Sequence, residues 1–342
     1  MCKSILIFVT FPFSLMMIFL VGFGRLLRVS SCSWVGIWRG LELNMLCFLP
    51  ILIQIGGFQR VESGVKYFLV QAFGSVFLLF SGVILDRAMS SFFSMFFFYF
   101  LIFSLILKLG VFPFHWWVPG VIGGMGWLSL AILLTWQKFA PVLLIFNCMG
   151  ACLLVVRMGC FSSLIGGLGG IGQGNSRLLL SYSSIGHLGW IIAIGGLSYF
   201  VGVLYFIVYF VGRVFVLALL WWVDLSRVTQ GIFGSSGFFF FFFICLFSLG
   251  GVPPLFGFLR KMLGLYWLAF EGGFILFSFF LIVGSLIRLY FYLSLFFSVF
   301  FFFFSYSFAY YDRFKRYFFL LFLISSLFVF SFFFFDFLFL LV

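Results

Sequence analysis

Charge is what this chain has least of. Only 8% of its 342 residues are Asp, Glu, Lys or Arg, against about a quarter in an ordinary globular chain. With 65% hydrophobic residues, 25% aromatics and a mean hydropathy of +1.34, the soluble classes are excluded. The chain also lacks the apolar–polar alternation, in segments of about ten residues, that builds an outer-membrane barrel. Its apolar runs instead continue for the roughly twenty residues a bilayer-crossing helix needs. None of its seven cysteines stands in a C-x-x-C pair, and only Cys148 and Cys152 share helical spacing, so the cysteines read as small apolar packing residues. Its two histidines, without acidic companions at ligand spacing, make no metal site.

What remains is an all-α polytopic membrane protein of about 11 transmembrane helices. The apolar runs place them at 4 to 24, 35 to 56, 64 to 85, 92 to 120, 121 to 146, 148 to 170, 178 to 197, 199 to 222, 237 to 268, 272 to 298 and 317 to 342. The first is too long for the apolar part of a signal peptide and reads as a retained span. The separations leave no room for a folded extramembrane domain, so one membrane domain, 1–342, fills the chain. Lys3, Arg60, Lys66, Arg177, Arg227, Arg313, Lys315 and Arg316 collect on one side. The other side holds Arg25, Arg28, Arg87 and Arg157. This asymmetry puts the N-terminus on the inner face. The net charge of +12 is dispersed between spans, which argues against nucleic acid and for anionic lipid headgroups as partners.

Against this background four charges stand out: Glu42, Lys108, Lys138 and Lys261 lie inside apolar runs. Each ionised group near the bilayer centre costs roughly 2.5 to 3.5 kcal/mol unless paired, and such groups mark ion or proton pathways. Burial disfavours an ammonium and a nearby carboxylate favours it, so a changed distance between the two loads or releases a proton. Lys108 and Lys138 stand on consecutive spans at similar depth. Other readings stay open: a lysine stem reaching the interface from a helix end, or a local ion pair of Glu42 with Arg39. Glu62 and Lys66 read as a structural i,i+4 pair. His115 and His187 titrate near neutrality and are candidates for the relay.

Two spans are interrupted by proline, one over Gly110-Val111-Phe112-Pro113 and the other over Gly251-Val252-Pro253-Pro254. Such breaks survive in a bilayer only where protein or a water-filled cavity satisfies the freed backbone groups. On this count they are the fourth and ninth spans, five apart, which predicts antiporter-like inverted five-helix repeats, about 1–146 and 148–298, with a C-terminal helix at 317–342. The stretch from Gly166 to Gly172 lies in an apolar span and reads as close helix packing, not as a dinucleotide loop. No flavin, iron–sulfur or nicotinamide site is visible. The 63 phenylalanines read as lipid-facing filler under the coding bias of a skewed organellar genome.

Several stretches together resemble a known family, subunit 2 of the mitochondrial NADH:ubiquinone oxidoreductase, complex I. They are Trp38 to Asn44, Glu62 to Gln71, Lys108 to Trp116, Thr135 to Pro141, Ser181 to His187 and Pro253 to Lys261. The resemblance implies an antiporter-like, proton-pumping subunit of the membrane arm, part of an enzyme but without a redox centre or cofactor of its own. Glu42 then looks like the coupling glutamate, Lys108 its partner at the broken helix, Lys138 the central relay lysine and Lys261 the exit-side lysine. It implies the inner mitochondrial membrane with the N-terminus in the matrix, other membrane-arm subunits as partners, and no direct NADH or quinone site. Gly120 and Leu178 depart from the family pattern, which often has an acid and a base there. A free-standing cation/proton antiporter and a purely structural subunit are the alternatives.

Overall fold

The structure, a computed structural model, describes residues 2–31, 33–54, 57–87, 91–148, 153–223, 236–253, 255–270 and 275–307. The predicted span 317 to 342 lies outside them. The chain divides into two compact units, Met1–Cys148 and Met149–Val342. In the first, the elements are α1 (Cys2–Ser30), α2 (Trp34–Ile53), α3 (Phe58–Arg87), α4 (Ser91–Leu109), α5 (Trp117–Ile122), α6 (Trp127–Ala131), a π-helical turn (Ile132–Trp136) and α7 (Gln137–Cys148). In the second they are α8 (Leu153–Leu168), α9 (Ser176–Gly195), α10 (Tyr199–Val223), α11 (Ser236–Gly250), α12 (Phe256–Phe270) and α13 (Ile275–Ser307). Segments α6 to α7 run on as one helix, Trp127–Cys148. Among the described residues, each unit therefore has the same order: three helices, a broken helix and a fifth helix. Among the described residues, six helices are long and apolar enough to cross a membrane.

Apolar burial against neighbours drives little helix association in lipid, so close approach through small residues carries much of it. Gly24 of α1 and Gly40 of α2 face each other: a Cβ on Gly40 would lie 2.6 Å from the Gly24 carbonyl oxygen. The second unit repeats the device, with Gly159 against Gly189 and Gly166 against Gly186 between α8 and α9. The glycine-rich stretch is thus a packing surface, and α9, its partner, is the most deeply covered of those six described helices.

Both breaks end their first arm in the same way. Gly110 (φ 70°) and Gly251 (φ 73°) occupy the left-handed region, where a Cβ is strained. Val111 N–H reaches back to Ile106 O and Gly110 N–H to Leu107 O, and Val252 and Gly251 repeat this pattern on Phe247 and Ser248. This is the Schellman termination, with proline following to prevent continuation. Several boundaries differ from the sequence expectation, among them the end of α1 at Ser30, the start of α3 at Phe58 and the end of α13 at Ser307. One difference lies at the first break. The second arm of the first broken helix extends to Ile122, and the next helix starts at Trp127 rather than 121. The intervening Gly123-Gly124-Met125-Gly126 turns against α3, where a Cβ on Gly124 would sit 2.5 Å from the Gln59 carbonyl.

Candidate functional site

In the first unit the site is built around the end of α4. A helix C-terminus leaves its last carbonyls unpaired and carries a partial negative charge that favours a cation. Lys108 stands in that last turn. The freed carbonyls are met by neutral donors, Trp117 Nε1 to Leu107 O at 3.1 Å and Gln71 Nε2 to Lys108 O at 3.2 Å. The Lys108 ammonium is thereby left for other work. Gly74 of α3 makes room for its stem, since a Cβ there would fall 2.9 Å from Lys108 Cγ.

Lys138 comes from the opposite wall. The π-helical turn directly precedes α7, of which Lys138 is the second residue, and Pro141, three residues on, withdraws a backbone donor from that helix. π-Turns inside α-helices are frequent at functional sites, and this one lies within the one helix that carries Lys138. Beside it Asn44 and Gln137 form a reciprocal amide pair, with Asn44 Nδ2 to Gln137 Oε1 at 2.7 Å and Gln137 Nε2 to Asn44 Oδ1 at 3.2 Å. Lys108, Lys138, Asn44, Gln71, Gln137 and Tyr67 line a single cavity of ≈ 30 Å³. That is room for water, and its polar wall supplies the partners a water needs. Asn44→Ala leaves the Gln137 amide without its partner; a loss of about 1–3 kcal/mol of stability follows, read as an earlier thermal inactivation of the membrane-extracted protein.

Glu42 is half-buried and does not line the cavity, but its carboxylate acts electrostatically on Lys108 and on buried Tyr67. Its Oε2 is buried and makes no hydrogen bond. No ion pair joins it to Arg39, which is exposed; Glu62 and Lys66 do pair, at 2.6 Å. His115 lies in the linker between α4 and α5, stacked on Phe112 with centroids 6.4 Å apart, and away from the cavity wall.

Lys108, Lys138 and Lys261 are 8%, 4% and 7% exposed, too deeply covered for stems reaching an interface. Lys261 belongs to the second unit, where its ammonium donates to Gly250 O at the end of α11. Arg260 donates to Leu249 O at 3.2 Å and Ser248 O at 3.5 Å. The two breaks therefore differ: neutral side chains cap the first, cations the second. Lys261 also lies over the Trp190 ring at 5.9 Å, Arg260 over Tyr205 at 5.0 Å and Arg213 over Tyr209 at 5.2 Å. Arg213 further donates to Ser183 Oγ at 2.9 Å. His187 is fully buried among them, its Nδ1 3.3 Å from the Tyr205 hydroxyl.

Arg213, Arg260 and Arg288, all buried, were not singled out from the sequence as site residues. The signal was present, since Arg213 and Arg288 stand inside apolar runs as plainly as the lysines do. Together with Lys261 they make a cationic cluster, and the described residues of this unit contain neither Asp nor Glu.

The chain matches, over residues 31–288, the family described as NADH:quinone oxidoreductase/Mrp antiporter, transmembrane. It is similar to NADH-ubiquinone oxidoreductase chain 2 of Pisaster ochraceus, 37% identical over 286 residues, covering 79% of each chain. The counterpart of Anopheles gambiae is 37% identical over 290 residues, covering 81% of this chain and 83% of that one. In fold the chain is similar to a chain of respiratory complex I from Thermus thermophilus, with a TM-score of 0.75 at 23% identity, covering 83% of this chain and 69% of that one. A chain of the Mrp complex from Dietzia gives 0.76 at 18% identity, covering 82% and 59%.

Proposed function

Since the chain belongs to the NADH:quinone oxidoreductase/Mrp antiporter transmembrane family, we propose that it works as chain 2 of a proton-translocating NADH-ubiquinone oxidoreductase, moving protons through its buried side chains. The observation that carries this reading is the cavity that Lys108 and Lys138 share. One lysine at the end of a broken helix and one behind a π-turn face a common water-sized space, so a protonated ammonium on one wall and a free amine on the other can exchange a proton through water. Glu42 biases the exchange. When its carboxylate approaches Lys108 the ammonium form is favoured, and when it withdraws the proton is released toward Lys138. At an effective dielectric near 20, moving a unit charge from about 4 Å to 8 Å changes the interaction by roughly 2 kcal/mol. That is enough to switch the preferred proton position by more than tenfold.

In the second unit Lys261, at the other broken helix, and His187, on α9, are the groups that carry protons on this reading. Redox chemistry and its cofactors fall to other subunits, and the chain's own partners are the neighbouring membrane-arm subunits and anionic lipid. The setting is the inner mitochondrial membrane, N-terminus in the matrix, as the basic residues on that side favour. A tag added at the N-terminus tests both points. Affinity isolation through it brings down NADH:quinone reductase activity, and in mitochondria lacking the outer membrane it resists added protease. Isolation of the chain alone, or cleavage of the tag before the inner membrane is opened, contradicts the assignment.

A further inference from the structure

We propose that the second unit holds a buried site for one small monovalent inorganic anion of halide type, between the guanidinium of Arg288, the hydroxyl of Tyr292 and Nε2 of His187. Arg288 is 1% exposed and spends its Nε on Gly284 O at 3.2 Å, leaving Nη1 and Nη2 without partners. The Tyr292 hydroxyl and His187 Nε2 are likewise buried and unpartnered. Buried donors in a native protein find acceptors, and three sets without one in the same region point to an acceptor that the chain itself does not supply.

The three groups stand on α9 and α13, which pack against each other. Arg288 and Tyr292 are one turn apart on α13, hence on one face. The Arg288 side chain packs on Gly186, the neighbour of His187, with Cδ and Nε each 2.9 Å from where a Cβ would be. The Tyr292 ring packs on Gly250, whose carbonyl accepts from Lys261. The Tyr205 hydroxyl lies 3.3 Å from His187 Nδ1; in the tautomer in which Nδ1 accepts from it, the ring proton sits on Nε2 and makes a third donor.

Charge argues the same way. Guanidinium groups stay protonated in proteins, so Arg213, Arg260 and Arg288 hold three positive charges whatever the state of Lys261 and His187. The other two arginines have carbonyls, a hydroxyl and aromatic faces to lie against. Arg288 has only Gly284 O. An ion in so enclosed a place must shed its water, which a halide does far more cheaply than a multivalent anion such as phosphate.

The test uses the assembled membrane complex, prepared in chloride-free gluconate. Equilibrium binding of radioactive chloride is counted for the native complex and for Arg288→Gln, together with density maps in bromide and in gluconate. The site predicts a peak against Arg288 Nη1 and Nη2 in bromide but not in gluconate, and one bound chloride fewer per complex in the variant. Tyr292→Phe keeps the charge and the ring; it weakens chloride binding about tenfold, the worth of a hydrogen bond to a charged group. It decides the matter if Arg288→Gln does not assemble. The same chloride count in native and variant complexes, or density that does not change with the salt, overturns the proposal. Binding is read without turnover, so its outcome is independent of whether the lysines carry protons.

Discussion

Lys138→Met is expected to abolish coupled proton translocation while the complex still assembles. Methionine fills nearly the same volume and leaves the apolar wall of the cavity intact, but it offers no basic atom. A proton leaving Lys108 then has to cross as a bare charge in water at the bilayer centre. Without a side chain to receive it, the passage meets a barrier higher by roughly 2.5 to 3.5 kcal/mol, about a hundredfold in rate. Reconstituted in liposomes, the variant complex develops no proton gradient above background upon NADH oxidation. Its quinone reductase rate, where tightly coupled, falls in parallel. Assembly is the control, because Lys138 is 4% exposed and the removal of its charge lowers the cost of burying that position.

Gly257→Ala is expected to do the opposite: to prevent assembly rather than to silence an assembled complex. A Cβ at Gly257 would lie far inside contact distance of the Ser248 carbonyl oxygen, a backbone atom that no side-chain rotation can move. The first turn of α12 would have to lift off the end of α11. Arg260 and Lys261 would then lose the carbonyls of Ser248, Leu249 and Gly250, leaving two cations buried without acceptors. Overpacking costs about 1–3 kcal/mol and occasionally more, and each buried charge stripped of its partners adds several. Blue-native electrophoresis should show the assembled band reduced at least tenfold; a full-strength band would show that α12 tolerates displacement.

The broken helices and the buried lysines were legible because each is announced locally. A glycine followed by proline in an apolar run cannot remain a regular helix, and a lysine in such a run has a cost that demands a reason. The Gly-Val pairs at 110 and 251 even foretell the shared termination, once the left-handed preference of glycine is considered. The arginine cluster carries the same local signal, but a guanidinium, which does not release its proton, fits poorly into a proton relay. Its worth lies instead in a standing positive charge. Other features have no local signal at all. The Asn44–Gln137 pair joins residues 93 apart in sequence and exists only through packing. The π-turn before Lys138 follows from nothing in Ile132-Leu133-Leu134-Thr135-Trp136 beyond the apolar character it shares with every other span. The caps that distinguish the two breaks come from α3 and α5 in one unit and from α12 in the other, so the difference is tertiary as well.

The central claim is that Lys138 carries a proton rather than a charge, and Lys138→Arg separates the two. Arginine keeps the positive charge and the long stem but does not deprotonate in proteins. The measurement is the proton gradient built by the reconstituted Lys138→Arg complex during NADH oxidation. The account predicts a gradient at background in a fully assembled complex; a gradient equal to that of the native complex would contradict it and leave Lys138 a structural charge.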